Sequence, residues 1–98
     1  MIEVRQTDTY ARWFAKLRNM RAKARIDVRV RRLSLGNAGD VKPVGAGISE
    51  LRIDVGKGYR VYYINRGGCL IILLAGGDKS SQQRDIENAK TIAADIQE

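Results

Sequence analysis

The sequence predicts one α+β domain, in which helices pack on one face of a twisted, mainly antiparallel sheet. Apolar and polar residues alternate between positions 50 and 63, which is the period of strands. Apolar residues recur at helical spacing between positions 10 and 33, and again between positions 86 and 96. Ninety-eight residues are the usual size of one domain, so we expect residues 1–98 to form a single fold of order β-α-α-β-β-β-α.

The N-terminal part predicts a short strand followed by a helical hairpin. Residues 2–5 alternate as a strand does, and Thr7 or Asp8 can cap the helix that follows. A second helix is expected from about Met20 to Leu35, with Gly36 ending it. We expect the aromatic face of the first helix in the core rather than on a base-stacking surface. That face consists of Tyr10, Trp13, Phe14 and Leu17.

The middle of the chain predicts a glycine-rich loop and then three strands. The loop has room for a brief strand at Val41–Val44, and hairpin turns are expected at residues 56–58 and 66–68. The segment Cys69–Ala75 is apolar on both faces, which predicts a central strand covered on both sides. Cys69 is therefore expected to be a buried structural thiol.

The charge of the chain is strongly positive and unevenly distributed. Eighteen Lys and Arg outnumber 11 Asp and Glu, which gives a net charge of +7. Residues 12–32 hold nine of these cations and a single acid, Asp27. A basic segment of this kind favours a polyanionic partner, or an acidic protein that covers it. A solvated helix face is the simpler alternative.

Composition excludes several classes of site. The chain has one cysteine and no histidine, so we expect no metal site, no nucleophile activated by histidine and no cofactor. Its glycines match no phosphate-loop pattern. The longest apolar run, residues 70–75, is too short to cross a bilayer, and the first nine residues lack the apolar core of a secretory signal. These observations predict a cytoplasmic protein without membrane contact.

Strand alternation brings a set of polar side chains to one side of the predicted sheet. If the apolar residues of the first long strand face the helices, Glu50 and Arg52 project from the opposite face together with Arg60 and Tyr62. Lys79 follows the central strand, beside the free N–H groups that begin the last helix. We expect these residues to converge on a concave open face that suits a phosphodiester. Cross-strand Arg–Glu and Arg–Asp pairs on a wet sheet are the alternative.

Four strings of residues carry a family resemblance that covers nearly the whole chain. They resemble the addiction-module killer proteins, which are HigB-like members of the RelE/ParE toxin superfamily. The strings are Leu35-Gly36-Asn37-Ala38-Gly39-Asp40-Val41-Lys42-Pro43-Val44-Gly45, Glu50-Leu51-Arg52-Ile53, Gly58-Tyr59-Arg60-Val61-Tyr62-Tyr63 and Leu73-Leu74-Ala75-Gly76-Gly77-Asp78-Lys79-Ser80-Ser81-Gln82.

The resemblance implies a RelE-like fold and a type II toxin, monomeric alone and hetero-oligomeric with its cognate antitoxin. Antitoxins of this branch are commonly helix-turn-helix proteins. RelE-like members cut mRNA in the ribosomal A site, whereas ParE-like members poison DNA gyrase. A ribosome-dependent mRNA endonuclease is therefore our first expectation. A gyrase poison and a non-catalytic nucleic-acid-binding or antitoxin-binding protein are the alternatives.

The resemblance also assigns residues to the reaction. Arg60 matches a RelE phosphate-binding arginine, Arg52 a basic strand residue, and Lys79 the basic residue after the last strand. An ungapped match places Asp85 where RelE has the tyrosine that activates the nucleophile, and Asp54 where RelE has a lysine.

The chemistry of RNA cleavage suits these residue types. RNA supplies its own 2′-hydroxyl nucleophile, so the enzyme needs a base, a clamp for the five-coordinate phosphorane and a donor for the leaving oxygen. Guanidiniums suit the clamp, and Lys79 suits phosphate binding or protonation of the leaving group. Asp85, Glu50 and Tyr62 compete as the base. On the basic helical segment, Arg25 and Arg29 are expected to dock on ribosomal RNA.

Overall fold

The computed structural model describes residues 2–96 and contains five strands and three α-helices. A single turn of 3-10 helix, Lys79–Ser81, precedes the last α-helix. Residues 1, 97 and 98 of the predicted domain lie outside the described residues. The elements are β1 (Glu3–Gln6), α1 (Asp8–Lys16), α2 (Met20–Ser34), β2 (Val41–Gly45), β3 (Ile48–Ile53), β4 (Tyr59–Arg66), β5 (Leu70–Asp78) and α3 (Gln82–Asp95).

The strands form one mixed sheet in the order β1-β5-β4-β3-β2. The pairs of β2 with β3, β3 with β4 and β4 with β5 are antiparallel, and β1 runs parallel to β5. The mainly antiparallel sheet is therefore confirmed. The brief strand expected after the helical hairpin is a full edge strand of five residues. Pro43 is tolerated in it because an edge strand leaves one side of its backbone unpaired.

Side-chain caps begin the two helices of the hairpin at the positions that the sequence indicates. The Thr7 hydroxyl accepts a hydrogen bond from the Tyr10 N–H at 3.1 Å and donates one to the Leu74 carbonyl at 2.7 Å. The Asn19 side chain accepts from the Ala22 N–H at 3.0 Å. The Thr7 bonds tie the start of α1 directly to β5, so the hairpin is fixed against the sheet at its first residue.

The helices cover both faces of the sheet, so the expectation that they pack on one face is wrong. On the hairpin face, Val61 and Leu73 lie in a hydrophobic cluster under α1 and α2. On the opposite face, which we call the α3 face, Ile64 and Leu74 lie in a second cluster with Ala89 of α3. The physical reason is that β4 and β5 are buried on both sides, and a sheet with two apolar faces needs a layer on each.

A bulge in the middle of β5 precedes two glycines over which helical side chains lie closely. Leu74 is the extra residue of the bulge, after which Gly76 faces the hairpin and Gly77 faces α3. A Cβ atom at Gly76 would overlap the Trp13 ring, and one at Gly77 would overlap the carboxylate of Asp85. Adjacent residues of one strand therefore contact both helical layers.

Cys69 differs from its predicted environment. The interior position of β5 is confirmed, since β5 lies between β1 and β4 and residues 71–75 are buried. Cys69 itself is exposed, because the strand begins one residue later and the cysteine closes the preceding turn. Its sulfur lies 3.6 Å from the Arg66 carbonyl oxygen. The expectation of a buried thiol is therefore wrong.

The two glycines provide a direct test of these close approaches. We expect Gly76→Ala to destabilise the fold by about 1–3 kcal/mol, because the added methyl must displace a packed aromatic ring. We expect Gly77→Ala to cost less, about 1 kcal/mol, because the Asp85 carboxylate can rotate away and loses only a hydrogen bond. Urea denaturation measures both values. Trp13 is the chain's one tryptophan, so its emission should shift in Gly76→Ala alone. Wild-type emission and stability in Gly76→Ala would contradict this packing.

Candidate functional site

The candidate site is centred on a buried carboxylate, that of Glu50, whose side chain is 0% exposed. One oxygen accepts a hydrogen bond from Arg52 Nε at 3.0 Å and lies 3.8 Å from Arg60 Nε. The other oxygen accepts from the Tyr62 hydroxyl at 3.1 Å and from the side-chain amide of Gln82 at 2.8 Å. We call these five residues the Glu50 cluster. Four groups from three elements converge on one carboxylate.

The register of two strands assembles most of the cluster. In the antiparallel pair of β3 and β4, Glu50 lies opposite Tyr62 and Arg52 lies opposite Arg60. Because side chains alternate along a strand, all four share the α3 face. The sequence prediction that they share one face is confirmed. Gln82 completes the cluster from the first residue of α3.

The prediction that these side chains lie on an open face is wrong for most of the Glu50 cluster. Tyr62 is 0% exposed and Arg60 is 8% exposed, whereas the Arg52 side chain keeps 32% of its surface in solvent. The first turn of α3 covers the cluster through the contact of Gln82 with Glu50. The alternative expectation of cross-strand pairs holds only for Arg60 and Glu50, since Arg52 lies on the same strand as Glu50. Both arginines pair with Glu50, but the pairs are covered rather than wet.

The electrostatics of the cluster keep Glu50 ionised. Burial acts to raise the pKa of Glu50, but hydrogen bonds from Gln82, Arg52 and Tyr62, together with the charge of Arg60, hold that pKa below its ordinary value. Burial and the neighbouring Glu50 carboxylate raise the pKa of Tyr62, so its hydroxyl stays protonated and donates. Glu50 is therefore a weak base and Tyr62 a proton donor, and both side chains are fully buried.

Arg60 is the cation that the cluster buries most completely. Its Nη1 donates to the carbonyls of Gly58 and Tyr59, at 3.4 and 3.2 Å. Its buried Nε has no hydrogen-bond partner in the described part of the chain, although the Glu50 carboxylate lies nearby. Two guanidiniums and one carboxylate leave the cluster with an excess of positive charge. An anionic oxygen is the ligand that this excess and the unused N–H favour.

Asp85 is the carboxylate at the rim of the cluster. It accepts a hydrogen bond from the Ser81 hydroxyl at 2.5 Å and lies over Gly77, which is the residue opposite Arg60 in the sheet. Its charge contributes to the raised pKa of Tyr62, which indicates that it is close to the cluster. Asp85 is only partly buried. Of the three groups considered as a base, it is the one with access to solvent.

The sequence analysis predicted free N–H groups beside Lys79, but in the 3-10 turn that contains Lys79 the Ser80 N–H is already bonded. The Asp78 carboxylate accepts from the backbone N–H of Ser80 at 2.8 Å and from its hydroxyl at 2.6 Å. The chain's own carboxylate thus occupies this end. Lys79 is exposed, and its aliphatic carbons pack against Gly58, whose carbonyl accepts from Arg60. Lys79 and Arg60 therefore contact the same turn residue.

The two predicted docking arginines occupy different environments. Arg29 donates to the carbonyls of Arg52, Ala38 and Asp40, and burial lowers its pKa. Its Nη1 and Nη2 thus join α2 to β3 and to the loop between α2 and β2. Arg25 is exposed on α2 and lines a shallow groove with Asp54, which lies outside the Glu50 cluster. Docking on RNA stays a prediction for Arg25.

Two members of the site were not predicted from the sequence. Gln82 and Ser81 lie at the start of α3, and their side chains bind Glu50 and Asp85. Their position at the start of the last helix is the feature that could have predicted them, because the first residues of a helix that packs on a sheet can reach the strand beneath.

Among residues 2–96, no group of His, Cys, Asp and Glu side chains is arranged to hold a metal ion. Within the same range, every helix is too short or too polar to span a bilayer.

Glu50→Gln tests the role of the buried carboxylate. We expect a loss of about 3–5 kcal/mol at neutral pH, because the change leaves Arg60 buried without its counter-charge. The folded-state pKa of Glu50 is lowered from 4.5, so its stabilisation is complete above that pH and is lost as pH falls through the folded-state value. The difference between wild type and variant should therefore shrink below about pH 4.5.

Urea denaturation across this pH range measures the difference. The matched control is Glu87→Gln, which removes an exposed carboxylate 3.6 Å from Lys90 and should cost less than about 1 kcal/mol. Equal stability of the two variants at neutral pH would show that the cluster does not depend on Glu50.

Comparison with known proteins identifies the family. The chain is 54% identical over 95 residues to an uncharacterized protein of Haemophilus influenzae, a match that covers 97% of this chain and 96% of the relative. A family model described as phage-derived protein Gp49-like matches residues 12–97, which include every residue of the Glu50 cluster. This chain therefore belongs to the phage-derived Gp49-like family.

Proposed function

We propose that this protein is the toxin of a type II toxin–antitoxin module and that it cleaves mRNA on the ribosome. The family to which it belongs is toxin-like and related to addiction modules of the RelE and HigB type. The observation that carries the proposal is the Arg60 guanidinium, held against Glu50 with its Nε unpartnered and with Asp85 at the rim beside it. A fixed cation next to an accessible carboxylate is what cleavage of RNA through its 2′-hydroxyl requires.

In the proposed reaction Asp85 removes the proton of the 2′-hydroxyl, and the 2′-oxygen forms a bond to the adjacent phosphorus. Arg60 and Arg52 stabilise the additional negative charge of the five-coordinate phosphorane. The bond from phosphorus to the 5′-oxygen then breaks, and Lys79 gives that oxygen a proton. The products are a 2′,3′-cyclic phosphate and a free 5′-hydroxyl. Glu50 is a positioning residue, because it contacts both arginines and is itself inaccessible.

The first turn of α3 covers the Glu50 cluster, which supports the proposal that cleavage requires the ribosome. Arg60 is only 8% exposed, so an RNA phosphate reaches it after the contact between Gln82 and Glu50 opens. Binding energy from the ribosome can drive that opening, as remote contacts do in other enzymes. The exposed cations of α2, Arg25 among them, supply a surface for ribosomal RNA. An acidic segment of a cognate antitoxin is the proposed partner that covers this surface in the inactive complex.

Lys79→Ala and Asp85→Asn test the proposed chemistry without removing a buried charge. We expect Asp85→Asn to lower cleavage by about 100-fold or more, because the base is lost. We expect a loss of about 100-fold for Lys79→Ala, by analogy with the removal of one donor to a developing oxyanion. Primer extension of cellular mRNA after brief expression measures new 5′ ends, with translation active or blocked. The matched control is Lys90→Ala, whose cation pairs with Glu87 on α3.

The results separate the alternatives. New mRNA ends that require translation and disappear in both variants support the proposal. Double-strand DNA breaks without new mRNA ends, unchanged in the two variants, would support a gyrase poison. If both variants cleave mRNA at the wild-type rate, neither Lys79 nor Asp85 takes part in the reaction. Circular dichroism of each variant verifies that the fold is retained.

A further inference from the structure

A groove of about 630 Å³ lies on the hairpin face, across the sheet from the Glu50 cluster. It runs between the connection from α1 to α2 and the turn from β3 to β4. Its walls come from three separate parts of the chain, so the tertiary fold is needed to form it. The side chains used below are Trp13, Lys16, Arg18, Lys57, Tyr59 and Asp78.

The charge in the groove is strongly positive. Lys16 ends α1, Arg18 lies in the connection that follows, and Lys57 lies in the β-turn. Within residues 2–96, none of the three forms a salt bridge. Asp78 is the single acid in the lining. Hydrogen bonds from Ser80, together with the charge of Lys57, hold the pKa of its carboxyl below the ordinary value. Three cations without salt-bridge partners around one concave surface favour an anion.

The groove also has an aromatic wall that is held rigidly. The Trp13 ring packs over Gly76 and lies 5.7 Å from the Tyr10 ring, centroid to centroid. Tyr59 is buried beside it. As predicted, Trp13 packs against the core cluster that contains Tyr10, but it is only partly buried and also lines the groove. An aromatic ring next to cations is the combination that binds single-stranded nucleic acid, in which the base stacks and the backbone meets the charges.

We propose that this groove binds one nucleotide of single-stranded RNA, with its base on Trp13 and its phosphate among Lys16, Arg18 and Lys57. The turn that carries Lys57 forms one wall, and its last residue, Gly58, accepts a hydrogen bond from Arg60 of the Glu50 cluster. RNA held in the groove therefore lies at the sheet edge beside the proposed cleavage site. The choice of RNA rather than DNA rests on the proposed function, whereas the groove's affinity for a single strand does not depend on the cleavage reaction.

The single tryptophan makes the proposal directly measurable. Titration of the purified protein with a uridine pentamer should quench Trp13 emission to saturation, whereas inorganic phosphate at the same concentration should not. Lys16→Gln combined with Arg18→Gln should weaken binding by about 10-fold or more. The slope of log K against log salt should fall by about 0.7 in that double variant, because the contact with one phosphate of a single strand is lost.

Two matched controls distinguish binding in the groove from general attraction of RNA to a basic protein. Lys42→Gln combined with Arg84→Gln removes two exposed cations, on β2 and α3, that do not line the groove, and should leave the affinity within about 3-fold, since general charge decays with distance. Asp85→Asn should bind the pentamer as wild type does, even where cleavage is lost, so failure of the proposed function is distinguishable. Trp13→Phe, followed by anisotropy of labelled RNA, should retain the fold and weaken binding.

Three outcomes would overturn the proposal. The first is absence of saturable quenching. The second is equal weakening by the groove double variant and by the Lys42 and Arg84 double variant, which would indicate a general effect of charge. The third is a DNA pentamer of matched sequence that binds more tightly than RNA. Quenching that is selective for RNA over phosphate and sensitive to the groove cations supports it.

Discussion

The arrangement of the candidate site depends on one interaction, the burial of the Glu50 carboxylate in contact with four donor-bearing side chains. A carboxylate in the interior is costly unless hydrogen bonds and opposite charges compensate for lost hydration. Arg52, Tyr62 and Gln82 supply the hydrogen bonds, and Arg60 supplies the nearby charge. The same contacts fix the two guanidiniums and bind α3 to the sheet. One buried charge thus links stability, the position of α3 and the geometry of the proposed phosphate clamp.

The sheet connects this cluster to the groove on its opposite face. Gly76 and Gly77 are consecutive, and the first contacts Trp13 whereas the second contacts Asp85. The turn ending at Gly58 joins the same two regions at the sheet edge, since it contacts Lys79 and accepts a hydrogen bond from Arg60. A ligand in the groove and a phosphate at the cluster would therefore both lie against β5 and the turn that ends at Gly58. This places the proposed binding and cleavage steps on one rigid scaffold.

Sequence reasoning predicted the parts of the site that depend on local periodicity. The strand period places Glu50, Arg52, Arg60 and Tyr62 on one face, and the register confirms it. The cover by α3 was not predictable from that period, because burial of both faces of β4 becomes evident only when the layers are assembled. Local competition between neighbouring residues accounts for two further differences. Asp78 caps the 3-10 turn and takes the Ser80 N–H that was predicted to be free, and Cys69 closes a turn instead of starting the strand.

The most direct test of the central role of Glu50 is an NMR titration of its side-chain carboxyl carbon in the folded protein. If Arg52, Tyr62, Gln82 and Arg60 compensate for its burial, the carboxyl should titrate with a pKa below its ordinary value of 4.5. The Tyr62→Phe variant should move that pKa upward, because one hydrogen bond to the ionised form is lost. A pKa at or above 4.5 in the wild-type protein would mean that burial outweighs the surrounding donors. The Glu50 carboxylate would then not be the charge that holds the two arginines in place.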